Sequence, residues 1–101
     1  MSDSDLKPGL KTRKKLKRPS LYRVVLLNDD FTPRDFVVQV LRSEFRLDSS
    51  QAEVVMLTAH QKGTCLVSVY PRDVAETKAT RAIDAAQREG YPLHFNVEPD
   101  E

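Results

Sequence analysis

The sequence predicts a small α+β sandwich of order βααβαβ, in which a three-stranded antiparallel sheet packs against three helices. Three observations lead there. Residues 21–27 and 65–70 are short runs dense in Val and Leu, as buried strands are. Leu93, Phe95 and Val97 alternate with His94 and Asn96, the period of a half-buried strand. Between these runs, apolar residues recur at helical spacing and form faces that a sheet can cover. A chain of 101 residues with 40% hydrophobic composition supports one compact core and leaves no room for a second domain.

The elements follow in order. Residues 1–19 have no period and include Pro8 and Pro19, so they read as a disordered extension. A folded core over 20–98 follows, and 99–101 read as a frayed acidic tail, with fraying expected from Glu98 onward. The first strand is broken by Asn28-Asp29-Asp30, whose side chains compete for backbone partners. Thr32-Pro33 reads as an N-cap followed by proline at the first helical position, with Asp35 suited to the positive end of the dipole. Phe36, Val37, Val40, Leu41 and Phe45 then share one helical face. A second helix is expected near Ser50, where Ser50-Gln51-Ala52-Glu53 fits a capping box. Its stripe is Ala52, Val55, Met56 and Ala59, extended by His60, and Gly63 closes it in the left-handed conformation. Pro71 opens a third helix with Val74, Ala75, the Lys78 stem, Ala82, Ile83 and Ala86 toward the core. Gly90 ends that helix, and Pro92 leads into the last strand.

The net charge of +1 conceals an asymmetry. Residues 1–19 carry seven Lys and Arg against Asp3 and Asp5, while the rest carries nine basic residues against thirteen carboxylates. A basic arm on an acidic domain suggests contact with a partner, and a plain solubilising tail accounts for it equally well. No run approaches the about 20 apolar residues of a membrane span, and no secretory apolar core opens the chain. Cys65 is the single cysteine; it excludes an internal disulfide and reads as a small buried hydrophobe. A soluble, cytoplasmic setting is expected.

Candidate chemistry centres on two places. Asn28, Asp29 and Asp30 lie in a loop between a buried strand and a helix start, where binding groups concentrate, although a plain polar turn has the same composition. Their spacing does not continue as a calcium loop, so no metal is expected. His60 prolongs an apolar helical face. Such a histidine is usually structural, but a neutral imidazole also offers an acceptor. No serine sits in a strained elbow and no cysteine has an electropositive setting, which leaves catalysis without support and calls for no cofactor. An α-ammonium, by contrast, presents three donors, and an Asn carbonyl, an Asp carboxylate and a neutral His nitrogen would satisfy them. Met56, one turn before His60, could line an adaptable apolar hole beside that set.

Several stretches together resemble the ClpS adaptors of bacterial Clp proteases. They are Pro19-Ser20-Leu21-Tyr22-Arg23-Val24, Leu27-Asn28-Asp29-Asp30-Phe31-Thr32-Pro33, Phe36-Val37 with Val40-Leu41, Met56 with Ala59-His60, Val74-Ala75-Glu76-Thr77-Lys78-Ala79, and Pro92-Leu93-His94. The resemblance covers the whole folded part, and its fold has the order read above. It implies an adaptor, not an enzyme, in which proteins beginning with Leu, Phe, Tyr or Trp are N-degron substrates delivered to the AAA+ unfoldase ClpA. Asn28, Asp29 or Asp30, and His60 would hold the α-amino group. Leu26, Thr32, Val37, Met56 and Leu93 would line the side-chain pocket, with Arg34 and Ala59 at its rim and wall. Asp73, Glu76, Thr77 and Lys78 would face the N-terminal domain of the unfoldase, and the basic arm would serve in substrate hand-off. Ordinary surface charge on an exposed helix is the plainer account of Glu76 and Lys78.

At two positions the sequence departs from the family pattern. Members commonly carry Met where Arg34 stands, a gatekeeper against β-branched residues, and Val where Ala59 stands. Both changes should alter the pocket's shape and polarity, so the four N-terminal residues should bind unequally. A cationic rim would also suit an acidic second residue in the substrate. An acceptor role for His60 implies weaker binding once the imidazole is protonated, which for an unperturbed ring occurs below about pH 6.5. The first rival reading is a ribosome- or nucleic-acid-associated domain using the basic arm; it predicts salt-dependent RNA binding that disappears without residues 1–18. An enzyme using Asp29 and His60 as an acid–base pair ranks last. No membrane partner is expected, and nothing demands more than a monomer.

Overall fold

The computed structural model describes residues 20–101; the basic stretch 1–19 and its expected disorder lie outside the described residues. Six elements follow one another: β1 (Leu21–Leu27), α1 (Arg34–Phe45), α2 (Ser49–Lys62), β2 (Thr64–Pro71), α3 (Arg72–Arg88) and β3 (His94–Pro99). This is the expected βααβαβ order. The earliest strand is central, since β1 pairs antiparallel with β2 on one side and with β3 on the other. Leu26 therefore sits opposite both Cys65 and Phe95. Between Val24 and Val25 the register steps from Ser68 to Leu66, so Val67 bulges out of the ladder.

The core forms where the helices meet the sheet. Val24 of β1 and Leu41 of α1 are fully enclosed, and in the same core the Phe45 and Phe95 rings lie 5.2 Å apart. Helix α1 buries Val37, Val40, Leu41 and Phe45, four of the five residues the periodicity selects. The fifth, Phe36, is half-buried and meets Tyr91 edge-on at 5.0 Å. Helix α3 buries Ala75, Ala79, Ala82 and Ala86, so its contact face is turned slightly from the predicted one. Ala79 replaces the larger Val74, which stays outside, and the alanine row lets the helix backbone approach the sheet closely.

Capping differs from expectation at two helix starts. Helix α1 begins at Arg34 after Pro33, with no side-chain cap. Pro33 stands at the N-cap, one residue after the expected Thr32, whose hydroxyl donates to Asp29 Oδ2 at 2.9 Å. Helix α2 is capped by Asp48, not Ser50. The Asp48 carboxylate accepts from Gln51 N at 2.8 Å, and Gln51 Oε1 accepts from Asp48 N at 3.0 Å. Both Asp48 and Ser50 have a suitable partner three residues on, and the carboxylate also favours the dipole's positive end. Gly90, at φ 80°, closes α3 as expected, with Tyr91 N reaching Ala86 O and Gly90 N reaching Gln87 O. The C-terminal strand runs on through Glu98 and Pro99, where the sequence suggested fraying. Glu98 accepts from Arg23 at 2.8 Å and Asp100 N donates to Leu21 O at 3.0 Å, which ties the acidic end to β1.

Candidate functional site

At the end of β1 the chain leaves both neighbouring strands and crosses to α1. Asn28 N donates to Gly63 O at 2.9 Å, so the start of this loop is fastened to the C-terminus of α2. Gly63 can make that turn because it holds φ 93°, a left-handed backbone that a side chain would disfavour. His60, in the last turn of α2, is thereby brought beside the Asn28-Asp29-Asp30 loop.

The two carboxylates of that loop are placed differently. Asp29 is turned inward on its own loop: Oδ1 accepts from Phe31 N at 2.8 Å and Thr32 N at 2.7 Å, and Oδ2 accepts from the Thr32 hydroxyl. Three donors on one side chain brace the loop as an Asx turn. Asp30 is exposed and is held by no hydrogen bond found among the described residues, as is Asn28 through its side chain. Thr32, by contrast, is buried, and its hydroxyl proton is committed to Asp29.

Below this polar rim lies a cavity of about 330 Å³. Its floor and walls are Leu26, Thr32, Val37, Met56, Ala59 and Leu93, all buried. Its mouth is Asn28, Asp29, Asp30, Arg34 and His60. Every residue that the sequence assigns to the amine-binding set or to the pocket therefore borders one cleft, although they come from β1, α1, α2 and the segment before β3. Leu27, Phe31 and Pro33 border it too and were not singled out by sequence. Phe31 is the most exposed large apolar residue described, at 80%, and stands at the mouth.

Arg34 is more than a rim residue. Its Nη2 lies 2.9 Å from His60 Nε2. A guanidinium has donors only, so the imidazole nitrogen accepts and the ring proton resides on Nδ1. Helical spacing within α2 could not reveal this contact, because it joins two helix ends that are 26 residues apart.

The residues expected at a partner interface lie elsewhere. Asp73, Glu76 and Thr77 are exposed on α3, and none borders the cleft. Glu76 pairs with Arg72 at 3.2 Å within the helix. Lys78 is half-buried, donates to Glu44 O at 2.9 Å and lies 5.5 Å above the Tyr70 ring, so it ties α3 to the end of α1. Among the described residues no three His, Cys, Asp or Glu side chains are grouped to hold a metal, and no helix is long and apolar enough to cross a membrane. Cys65 is only half-buried; that burial still pushes its thiol above the ordinary range, with a Thr58 hydrogen bond and Lys62 opposing the shift.

Chemically, the cleft joins a polar mouth to an apolar hole. The hole suits one bulky side chain, being at the lower end of ligand-pocket volumes, roughly 300–1,000 Å³. The single hydroxyl on its wall, that of Thr32, is buried and donates its proton to Asp29.

Comparison with known proteins agrees with this architecture. The model of the family described as ATP-dependent Clp protease adaptor protein ClpS matches residues 17–96. ATP-dependent Clp protease adapter protein ClpS 1 of Rhodopseudomonas palustris is 59% identical, with all of both chains covered. The ClpS 1 protein of Bradyrhizobium diazoefficiens is 54% identical, again over the whole of both chains. Among solved structures, Agrobacterium tumefaciens ClpS2 bound to L-phenylalaninamide superposes with a TM-score of 0.80 at 51% identity. That alignment covers 82% of this chain and 100% of the other.

Proposed function

The chain belongs to the ClpS family of ATP-dependent Clp protease adaptors, and we propose that its cleft captures the free N-terminus of proteins beginning with Leu, Phe, Tyr or Trp. One observation carries the reading: exposed acceptors and a buried apolar hole share one cleft of a size for one side chain. The α-ammonium has three protons to place. Asn28 Oδ1, the Asp30 carboxylate and His60 Nε2 are the acceptors, since Asp29 already accepts three bonds from its own loop. Asp29 is thus a positioning residue. The first side chain descends against Leu26, Val37, Met56, Ala59 and Leu93, where burial contributes about 1.5–3 kcal/mol. Binding is the whole of the chemistry, and the bound chain leaves intact.

Delivery to the unfoldase ClpA is assigned to the exposed α3 face of Asp73, Glu76 and Thr77. Lys78 holds that face against α1. Because this surface does not border the cleft, a monomer can engage substrate and unfoldase together. Binding of L-phenylalaninamide by the Agrobacterium tumefaciens relative is consistent with the amine-and-side-chain reading.

Fluorescence anisotropy on peptides that differ only in the first residue tests it. Peptides beginning with Leu, Phe, Tyr or Trp should bind, with Ile and Lys far weaker. Acetylating the tightest binder should weaken it on the order of 100-fold, through loss of charged hydrogen bonds. Equal binding of the acetylated copy would refute the proposal.

A further inference from the structure

The nitrogen that the proposed function gives to the substrate amine is already taken. Arg34 Nη2 stands 2.9 Å from His60 Nε2, and that nitrogen has one in-plane lone pair. Guanidinium and ammonium cannot both donate to it. We propose that Arg34 is an internal competitor that occupies His60 in the empty cleft, and that its release on amine binding selects substrates with a carboxylate at the second residue.

The inference rests on the amine-binding reading and adds a specificity to it. Arg34 is the first residue of α1, exposed at the cleft mouth. It belongs to none of the ion pairs among the described residues, which join Arg23 to Glu98 and Asp100, Arg72 to Glu76, and Arg81 to Glu44. Among the described residues its side-chain partner is His60. An arriving ammonium removes that partner and adds a second cation beside the guanidinium. Both effects oppose binding. With the first side chain in the hole, the substrate backbone must leave through the mouth, past Phe31 and Arg34. A carboxylate at the second residue meets the displaced guanidinium there. It restores a charge-assisted bond, in fork geometry that a lysine could not reproduce, and offsets the repulsion. An Ala or Lys at that place restores nothing.

The test uses the full chain and its Arg34→Met variant. Leu-first peptides with Asp, Ala or Lys second are titrated by anisotropy, and nitrogen NMR reports the His60 ring in the protein without peptide. The parent should favour Asp over Ala about two- to fivefold, the range of an exposed charged contact. Arg34→Met should abolish that preference and bind the Ala peptide about two- to fivefold more tightly than the parent does. In the parent the ring should show Nε2 as the bonded acceptor with the proton on Nδ1, and the variant should relax to the tautomer mixture of a free imidazole. An imidazole signal unmoved by Arg34→Met, or a preference for Asp that survives it, overturns the inference and leaves the function standing. If no free N-terminus binds while the imidazole signature is present, the function fails, and the substrate preference falls with it.

Discussion

Asp29 and Asp30 are adjacent, chemically identical and opposite in circumstance. Asp29 accepts three hydrogen bonds from its own loop, and Asp30 accepts none among the described residues. Replacing Asp29 by Ala leaves two backbone N–H groups and a buried hydroxyl without their acceptor, a loss of about 1–3 kcal/mol. That variant should lower the melting temperature and weaken peptide binding together. Asp30→Ala should leave melting unchanged within error and weaken binding alone, about tenfold or more, since a hydrogen bond to a charged group contributes about 1.5–3 kcal/mol. Thermal denaturation beside a peptide titration separates the two, and a melting loss for Asp30→Ala equal to that of Asp29→Ala would contradict the division of roles. From sequence the two carboxylates were interchangeable. An Asp followed by a Thr three residues on is compatible with an Asx turn, but only coordinates show which carboxylate the turn consumes.

At the level of elements, two left-handed residues end the two helices that frame the cleft, and they should respond in opposite directions. Arg46 closes α1 at φ 60° and is the one non-glycine described with positive φ. Gly63 closes α2 at φ 93°, with open space where a Cβ would stand. Arg46→Gly should therefore stabilise the fold by up to about 1 kcal/mol through relief of backbone strain. Gly63→Ala should destabilise it by about 1–2 kcal/mol without any clash, and should also weaken peptide binding, because the Gly63 carbonyl holds Asn28. Denaturant midpoints check the signs, and a Gly63→Ala variant as stable as the parent would remove the strain argument. Gly63 was legible in the sequence and Arg46 was not, since no side chain advertises a left-handed cap the way glycine does. The capping of α2 was displaced by two residues for a related reason. Two overlapping boxes fit the sequence, and the choice of Asp48 depends on electrostatics that a motif does not rank.

Over the whole molecule, what alternation and helical periodicity encode was readable. The element order, the apolar face of α1 and most of the cleft lining, though not Leu27, Phe31 or Pro33, followed from residue types and from the family resemblance. What requires two distant segments to meet was hidden. The clearest cases are Arg34 on His60, Lys78 on the Glu44 carbonyl, Arg23 on Glu98, and the Ala79 contact that turns α3. The fold places the cleft at one end of β1 and the α3 surface outside it, so the proposed capture and delivery surfaces share no residues. The measurement that bears most directly on this account is backbone and methyl NMR mapping with phenylalanine amide and its N-acetyl copy. The free amine should shift Asn28, Asp30, Val37, Met56, Ala59 and His60 while leaving Asp73, Glu76 and Thr77 in place, and the acetylated copy should shift almost nothing. Shifts that appear equally with both compounds, or that fall on α3 and spare the cleft, would contradict it.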